Sequence, residues 1–265
     1  MRPRARGPAL AALALLLAAG CAGPVQHRAA TAGDGAGQPA GETATRPAGD
    51  STAPAAAARP SATALPPAVD RVRTTDKVVF LTYDDGAERD PRLIGLVRER
   101  RLPVSFFLTD SVVGPGYAHF ARLRAVGAGL QNHTLDHTAL RGLPYAGQRA
   151  QICGQQRKLT SRFGVRPRLF RPPYGTYDAT TLRAAADCGI TALVLWRVSL
   201  DGDGVLTYAQ GAKQLMPGDI VSVPSVDLPS LTLAERTRRL LKEADRRGLR
   251  VARLEDYLAG TGAEP

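Results

Sequence analysis

Short apolar segments alternate with segments of helical periodicity from Lys77 to about residue 258. The segment KVVFL at 77–81 is a continuous apolar run, which is typical of a strand buried on both faces of a parallel sheet. Six further strands are predicted by similar patterns, at 103–109, 129–133, 168–172, 190–198, 219–223 and 249–254.

Capping signals place helices between these strands. Asp90 before Pro91 predicts one helix start, Asp178 a second, and Thr232 with Glu235 forms a capping box for a helix that continues to about residue 247. Two more helices are predicted at 117–126 and 145–162. The alternation favours parallel βα units, either wrapped into a barrel or laid out as an open doubly wound sheet.

In both architectures, functional residues gather at the C-terminal ends of the strands. Four polar clusters follow predicted strands: TYDDG at 82–86, NHTLDH at 132–137, RPPYG at 171–175 and VSLDGDG at 198–204. The sequence therefore predicts one functional rim.

The first two clusters are typical of a metal site. Asp84 and Asp85 are adjacent carboxylates, whose mutual repulsion a cation would relieve. His133 and His137, four residues apart in one predicted helical turn, would present two nitrogens to the same ion, with a carboxylate as third ligand. Each motif alone is also consistent with surface histidines or an ordinary Asp-Gly turn.

The order TYDDG, HTLDH and RPPYG resembles the polysaccharide deacetylases of carbohydrate esterase family four, which include chitin and peptidoglycan N-deacetylases. Their usual first two motifs are TFDDG and H-S/T-x-x-H. The resemblance covers about residues 77–258 and implies an α/β fold, a distorted (β/α)7 barrel. It also implies a metal-dependent hydrolase that removes acetyl groups from N-acetylated cell-envelope polysaccharide.

The resemblance implies a role for individual residues. Asp85, His133 and His137 match the ligands of a divalent metal, commonly zinc, with cobalt or another divalent ion as alternatives.

Asp84 matches the general base, Arg171 the residue that orients it, and Tyr174 the residue whose backbone N–H helps to bind the oxyanion. In this chemistry the metal acidifies water and polarises the acetyl carbonyl.

Two later motifs depart from the family pattern. Pro224 stands where the family has a histidine that protonates the departing amine, and Ser222 stands at the leucine of the same motif. Ser199 replaces an aspartate that braces the arginine, for which Asp201 or Asp203 could substitute.

Three hypotheses follow from these departures: a slower N-deacetylase in which the base also returns the proton, an O-acetyl esterase, or a glycan-binding pseudoenzyme that keeps the metal site. Two histidines and a carboxylate also occur in non-haem iron oxygenases, but the βα pattern disfavours that class.

The N-terminal quarter of the chain indicates export. Residues 1–21 have three arginines, an apolar run and small residues, as in a signal peptide. Ala18–Cys21 resembles a lipoprotein processing box, which predicts a lipid anchor at Cys21 on the extracytoplasmic face of the membrane; ordinary cleavage is the alternative. Residues 22–68 are rich in Ala, Gly and Pro and are predicted to be a disordered linker, followed by a single catalytic domain at 69–265.

The chain has a formal net charge of +11. A basic exterior suits anionic wall polymers or lipid headgroups, but the arginines lie on several predicted helices and suggest no single patch. No nucleic-acid module is recognised, and a monomer acting on acetylated polysaccharide is expected. Cys153 and Cys188 form either a disulfide or two buried thiols.

Overall fold

The computed structural model describes residues 64–226 and 229–258, which belong to one compact unit. The predicted signal peptide, Cys21 and the linker up to residue 63 lie outside the described residues. No helix in the described ranges is long and apolar enough to cross a membrane.

Ten strands form the sheet of the described residues. They are β1 (Ala68–Val69), β2 (Val78–Asp85), β3 (Ser105–Leu108), β4 (Gly129–Asn132), β5 (Leu169–Phe170), β6 (Ala192–Val194), β7 (Val198–Leu200), β8 (Leu206–Tyr208), β9 (Ile220–Val223) and β10 (Arg250–Val251).

Seven α-helices connect or flank these strands. They are α1 (Pro91–Arg100), α2 (Asp110–Val113), α3 (Tyr117–Ala125), α4 (Tyr145–Phe163), α5 (Ala179–Asp187), α6 (Leu233–Arg246) and α7 (Leu254–Leu258). The predicted caps are confirmed: Asp90 caps α1, Asp178 caps α5, and Thr232 with Glu235 forms the capping box of α6.

The strands lie in the order β1-β6-β5-β4-β3-β2-β9-β7-β8, and β10 pairs with β2. Every strand pair is parallel except β7 with β8. The result is a half-barrel that confirms the expected distorted (β/α) barrel. Its central strand, β2, is buried along almost its full length, so the residues at its end are delivered to the rim from a rigid element.

The predicted strand at 190–198 is wrong as one element. It divides into β6, which pairs with β5, and β7, which pairs with β9. Arg197 lies at the break; its buried guanidinium binds both carboxylate oxygens of Asp219 and donates to the backbone carbonyls of Gln210, Ala212 and Gln214. Because a buried charge requires such partners, the chain turns towards Asp219 instead of continuing the strand.

The predicted strand at 249–254 is too long. Only β10 is extended, and α7 begins at Leu254. Leu254 and Leu258 are both buried in the same hydrophobic cluster, and their spacing of four fits one face of a helix.

Cys153 and Cys188 form a disulfide, with a Cα–Cα distance of 5.0 Å. The prediction of a bridge is confirmed, and the alternative of two free thiols is wrong. The bridge joins α4 to the end of α5, the two helices that follow the polar segments 133–144 and 171–178. It closes a sequence separation of 35 residues, which stabilises the fold by about 3 to 4 kcal/mol in the chain-entropy model.

Candidate metal centre

Asp85 is the last residue of β2 and His133 directly follows β4, so parallel pairing through β3 brings both to one edge of the sheet. Asp85 pairs in register with Leu108, which pairs with Asn132. The backbone N–H of His133 then donates to the carbonyl of Leu108 at 3.1 Å.

The segment HTLDH is a tight turn, and the predicted helical turn is wrong. Thr134 and His137 adopt left-handed backbone conformations, with φ of 73° and 55°. The N–H of His137 donates to the hydroxyl of Thr134 at 3.1 Å, which folds the segment back on itself. Asp136 points away and pairs its side chain with that of Gln151.

The three expected ligands converge. The Nε2 atoms of His133 and His137 lie 3.3 and 3.1 Å from Oδ1 of Asp85, and the three potential ligand atoms all lie within 4.8 Å of one another. Nδ1 of His133 donates to the carbonyl of Arg171 at 2.7 Å, so the lone pair of Nε2 is free to bind a cation.

A cation fits this arrangement. Oδ1 of Asp85 is buried and has no hydrogen-bond donor, although it faces two imidazoles. Burial lowers the pKa of His137, and the neighbouring His133 lowers it further. These effects outweigh Asp85 and Asp84, which raise the pKa, so the imidazole of His137 is favoured in the neutral form that binds a metal. Burial raises the pKa of Asp85, but His133, His137 and Arg171 outweigh it, so the net pKa lies below its ordinary value.

Polar residues behind the ligands hold the turn in place. The hydroxyl of Thr109 donates to the carbonyl of His133 at 2.8 Å, and Oδ1 of Asn132 accepts from the N–H of Thr134 at 3.0 Å. Nδ2 of Asn132 donates to the carbonyl of Ile152 in α4 at 2.9 Å. Asn132 was part of the polar cluster predicted at 132–137, but its supporting role and that of Thr109 were not predicted, although both are polar residues at the ends of buried strands.

Asp84 lies beside the ligand cluster and is 8% exposed. Its Oδ1 accepts from Nη1 of the fully buried Arg171 at 2.5 Å, and its Oδ2 accepts from the hydroxyl of Ser222 on β9 at 2.6 Å. The hydroxyl of Ser225 donates to its backbone carbonyl at 3.0 Å. From the sequence, Ser222 was identified only as a departure from the family motif, and its contact with Asp84 was not predicted.

Arg171 is braced by backbone, not by a second carboxylate. Its Nε and Nη2 donate to the carbonyls of Val194 and Leu195 at 3.1 and 3.3 Å, and its guanidinium lies 4.3 Å from the ring centre of Phe107. The expectation that Asp201 or Asp203 replaces the missing aspartate is wrong.

Both aspartates are engaged elsewhere. Oδ1 of Asp201 accepts from the N–H groups of Asp203 and Val205, and Asp203 accepts from the hydroxyl of Ser230. They close the loop between β7 and β8.

Tyr174 is on the rim, 64% exposed, in a left-handed conformation with φ of 59°. Its ring packs edge-on against His137, with centroids 4.8 Å apart. Its backbone N–H has no acceptor in the described part of the chain. A donor is therefore available beside the ligand cluster.

Pro224 provides no ionisable group, and its carbonyl accepts from Nη1 of Arg236 at 3.4 Å. Arg236 is buried in α6 and forms an ion pair with Glu88. His119 is buried on α3 against Phe120 and does not belong to the one His, Cys, Asp and Glu cluster found among the described residues. No described histidine takes the place of the missing one.

A parallel βα half-barrel with two imidazoles and a carboxylate at its strand ends, and a second carboxylate beside them, defines an α/β protein built for hydrolysis assisted by a divalent cation. The family model described as polysaccharide deacetylase matches residues 71–193. The chain belongs to this family.

Among its relatives, an uncharacterised protein of Streptomyces coelicolor is 69% identical over 73% of this chain and 78% of its own length. Chitin deacetylase 1 of Cryptococcus neoformans is 28% identical over 64% of this chain, which spans only 37% of that enzyme.

Two solved structures share the fold at 20% identity. The Bc1960 peptidoglycan N-acetylglucosamine deacetylase has a TM-score of 0.62 over 74% of this chain and 94% of its own. A mutant of a Bacillus anthracis protein, described as a family four pseudoenzyme with restored enzymatic activity, has a TM-score of 0.64 over 73% and 71%. The fold therefore accompanies both active and inactive proteins.

Proposed function

We propose that the protein is an extracytoplasmic, metal-dependent deacetylase that removes acetyl groups from N-acetylated cell-envelope glycan, either peptidoglycan or a chitin-like polymer. The observation that carries this proposal is the convergence of Asp85, His133 and His137 beside Asp84, a carboxylate already oriented by Arg171. Chitin and peptidoglycan deacetylases among the relatives support the substrate class.

Asp85, His133 and His137 would hold the ion, for which zinc is proposed because two neutral imidazoles and one carboxylate form a common zinc donor set. A divalent cation bound there supplies polarisation of the acyl oxygen and a more acidic water. Asp84 would accept the proton of that water, and its two hydrogen bonds fix the carboxylate for the transfer. The free N–H of Tyr174 would stabilise the developing oxyanion.

Pro224 favours a second candidate, an O-acetyl esterase. The amine released from an amide must be protonated as it departs, whereas an alkoxide leaving group depends on this less. In the N-deacetylase, Asp84 would return the proton that it accepted, at some loss of rate, because general acid catalysis contributes about 10² to 10⁴-fold. A glycan-binding protein without turnover is the third candidate.

Export and anchoring through Cys21 belong to the same proposal. The Cys153–Cys188 disulfide supports it, because such bonds persist in oxidising compartments outside the cytoplasm.

The test is acetate release from N-acetylglucosamine oligomers, from peptidoglycan and from O-acetylated glycan, each with a chelator, zinc or cobalt. The wild type is compared with Asp84→Asn, which keeps the size of the side chain but removes the base, and we expect release to fall by at least about 10²-fold. Asp136→Asn is the matched control, since Asp136 lies in the same rim segment but pairs with Gln151.

Metal-dependent release from the amide substrates supports the N-deacetylase. Release from esters alone would favour the esterase, and glycan binding with no release from any substrate would favour the pseudoenzyme. Equal release by wild type and Asp84→Asn would overturn the assigned role of Asp84.

A further inference from the structure

The N-terminal ends of the strands carry the opposite chemistry to the metal centre. Parallel strands joined by helices place the helix C-termini on this side of the half-barrel. The last turns of α1 and α3 carry two arginines each, and two more follow α4 before β5. These exposed residues define the basic face: Arg98, Arg100, Arg122, Arg124, Arg166 and Arg168.

The basic face has little internal countercharge. None of its six arginines forms an ion pair with a carboxylate among the described residues. Glu255 lies nearby, but its oxygens accept from Ser105 at 2.9 and 3.0 Å and from Gln131 at 2.8 Å. The charge is therefore available to an external anion.

A cavity of about 280 Å³ opens within this face. Its lining includes four arginines, Arg124, Arg166, Arg168 and Arg253, one acidic residue, Glu255, and the chain at 128–131. Several guanidinium groups around one cavity are suited to phosphate, because each presents a planar set of donors that matches phosphate oxygens.

The chain also enters the domain at this face. Ala68 of β1 pairs with Leu193 in parallel, and the N–H of Leu193 donates to the carbonyl of Pro67 at 2.8 Å. Thr191, two residues earlier, lines the arginine cavity. The segment that leads back, in sequence, to Cys21 therefore joins the domain beside the basic face. The metal centre lies at the other ends of the strands.

We propose that the basic face docks on an anionic phospholipid surface, with a headgroup phosphate in the arginine-lined cavity, and that docking directs the metal centre away from the bilayer. The proposal does not depend on acetyl hydrolysis and rests only on the extracytoplasmic location and the Cys21 anchor of the proposed function. Charge complementarity and the entry point of the chain select a membrane over a soluble glycan as partner.

The test measures cosedimentation of the full-length chain with vesicles of phosphatidylcholine alone or with about one third phosphatidylglycerol, at low and high salt. The apolar N-terminal segment is present in every sample, so the measured quantity is the gain caused by anionic lipid. Arg124→Glu/Arg166→Glu/Arg168→Glu is compared with Arg149→Glu/Arg183→Glu/Arg238→Glu, three exposed helical arginines outside the basic face with the same change in charge.

We expect anionic lipid to raise the affinity of the wild type about tenfold or more at low salt, the first triple variant to abolish this gain, and the control triple to retain most of it. Single Arg166→Glu and Arg168→Glu variants, each in an exposed loop, should lose a part of the gain and guard against misfolding of the triple. Equal losses in both triples would overturn the proposal, because net charge alone would then explain binding. A second result would also overturn the proposal. If the protein shows no preference for anionic vesicles, and inorganic phosphate but not chloride at equal ionic strength releases it from the vesicles, the cavity binds a soluble phosphate ligand instead.

Discussion

Asp84 is held from two strands at once. Arg171, which follows β5, donates a hydrogen bond to one carboxylate oxygen, and Ser222 of β9 donates to the other. Ser222 pairs with Thr82, two residues before Asp84, so the side chains of Ser222 and Asp84 lie on the same face of the sheet. The serine that replaces an apolar residue of the family motif thus becomes part of the support of the proposed base.

Replacement of Ser222 by alanine is expected to lower the rate of acetate release about tenfold, since the carboxylate loses one of its two fixed hydrogen bonds. It should also reduce the free energy of unfolding by about 1.5 to 3 kcal/mol, the range for a hydrogen bond to a charged group. Steady-state kinetics and urea unfolding measure the two effects.

Ser225→Ala is the matched control, because the hydroxyl of Ser225 donates to the backbone carbonyl of Asp84 and not to its carboxylate. Its rate should stay within about threefold of the wild type. Equal rates for Ser222→Ala and the wild type would show that Arg171 alone orients the carboxylate.

Among the elements, the segment 133–144 shows what a sequence pattern can and cannot predict. The residue types and order of HTLDH identified the two imidazoles, but spacing alone suggested a helical turn. The actual turn depends on Asn132 and Thr134, whose side chains bond to nearby backbone N–H groups and compete with helix formation. In the same way, the apolar pattern of 190–198 concealed the break that Arg197 imposes through a partner, Asp219, distant in sequence.

Asp178 ties the segment 133–144 to α5, because it bonds to Gly142 near the end of that segment. Its carboxylate accepts from the N–H groups of Gly142 and Thr181 at 2.9 and 2.8 Å, and these bonds, Gly142 first, lower its pKa from 3.8 to about 2. A lowered pKa means that the ionised group stabilises the fold above about pH 4 and that this contribution disappears as the pH falls towards about 2.

Asp178→Asn should therefore be less stable than the wild type at neutral pH, with the difference shrinking as the pH falls through that window. Urea unfolding at a series of pH values measures it. Asp256→Asn, which changes an exposed aspartate of α7, should leave the profile unaltered. A constant difference between Asp178→Asn and the wild type at all pH values would contradict the assignment.

At the scale of the whole molecule, the βα topology brings together residues that are far apart in the sequence. The arginines of separate predicted helices suggested no patch, yet βα connectivity brings those at the helix ends to one face. The same rule correctly predicted that TYDDG, NHTLDH and RPPYG meet on the opposite rim. The order of strands in the sheet was beyond sequence reasoning, because β1 and β8 are too short to produce a pattern.

The proposed ligands come from the ends of β2 and β4, so metal binding should stabilise the whole fold. Zinc at about one hundred times its dissociation constant would add about 2.7 kcal/mol to the free energy of unfolding. The midpoint of thermal unfolding should rise with zinc and fall again with a chelator.

His133→Ala should lose this response, while His119→Ala, which removes a buried histidine of α3, should keep it. An undiminished response in His133→Ala would place the bound ion elsewhere.

The left-handed backbone of Asp85, with φ of 64°, limits how the rim can be redesigned. Asparagine and glycine tolerate such a conformation, whereas β-branched residues do not. An engineer seeking a different metal preference would therefore do better to exchange donors at His133, which is not among the residues with positive φ, than at Asp85 or His137.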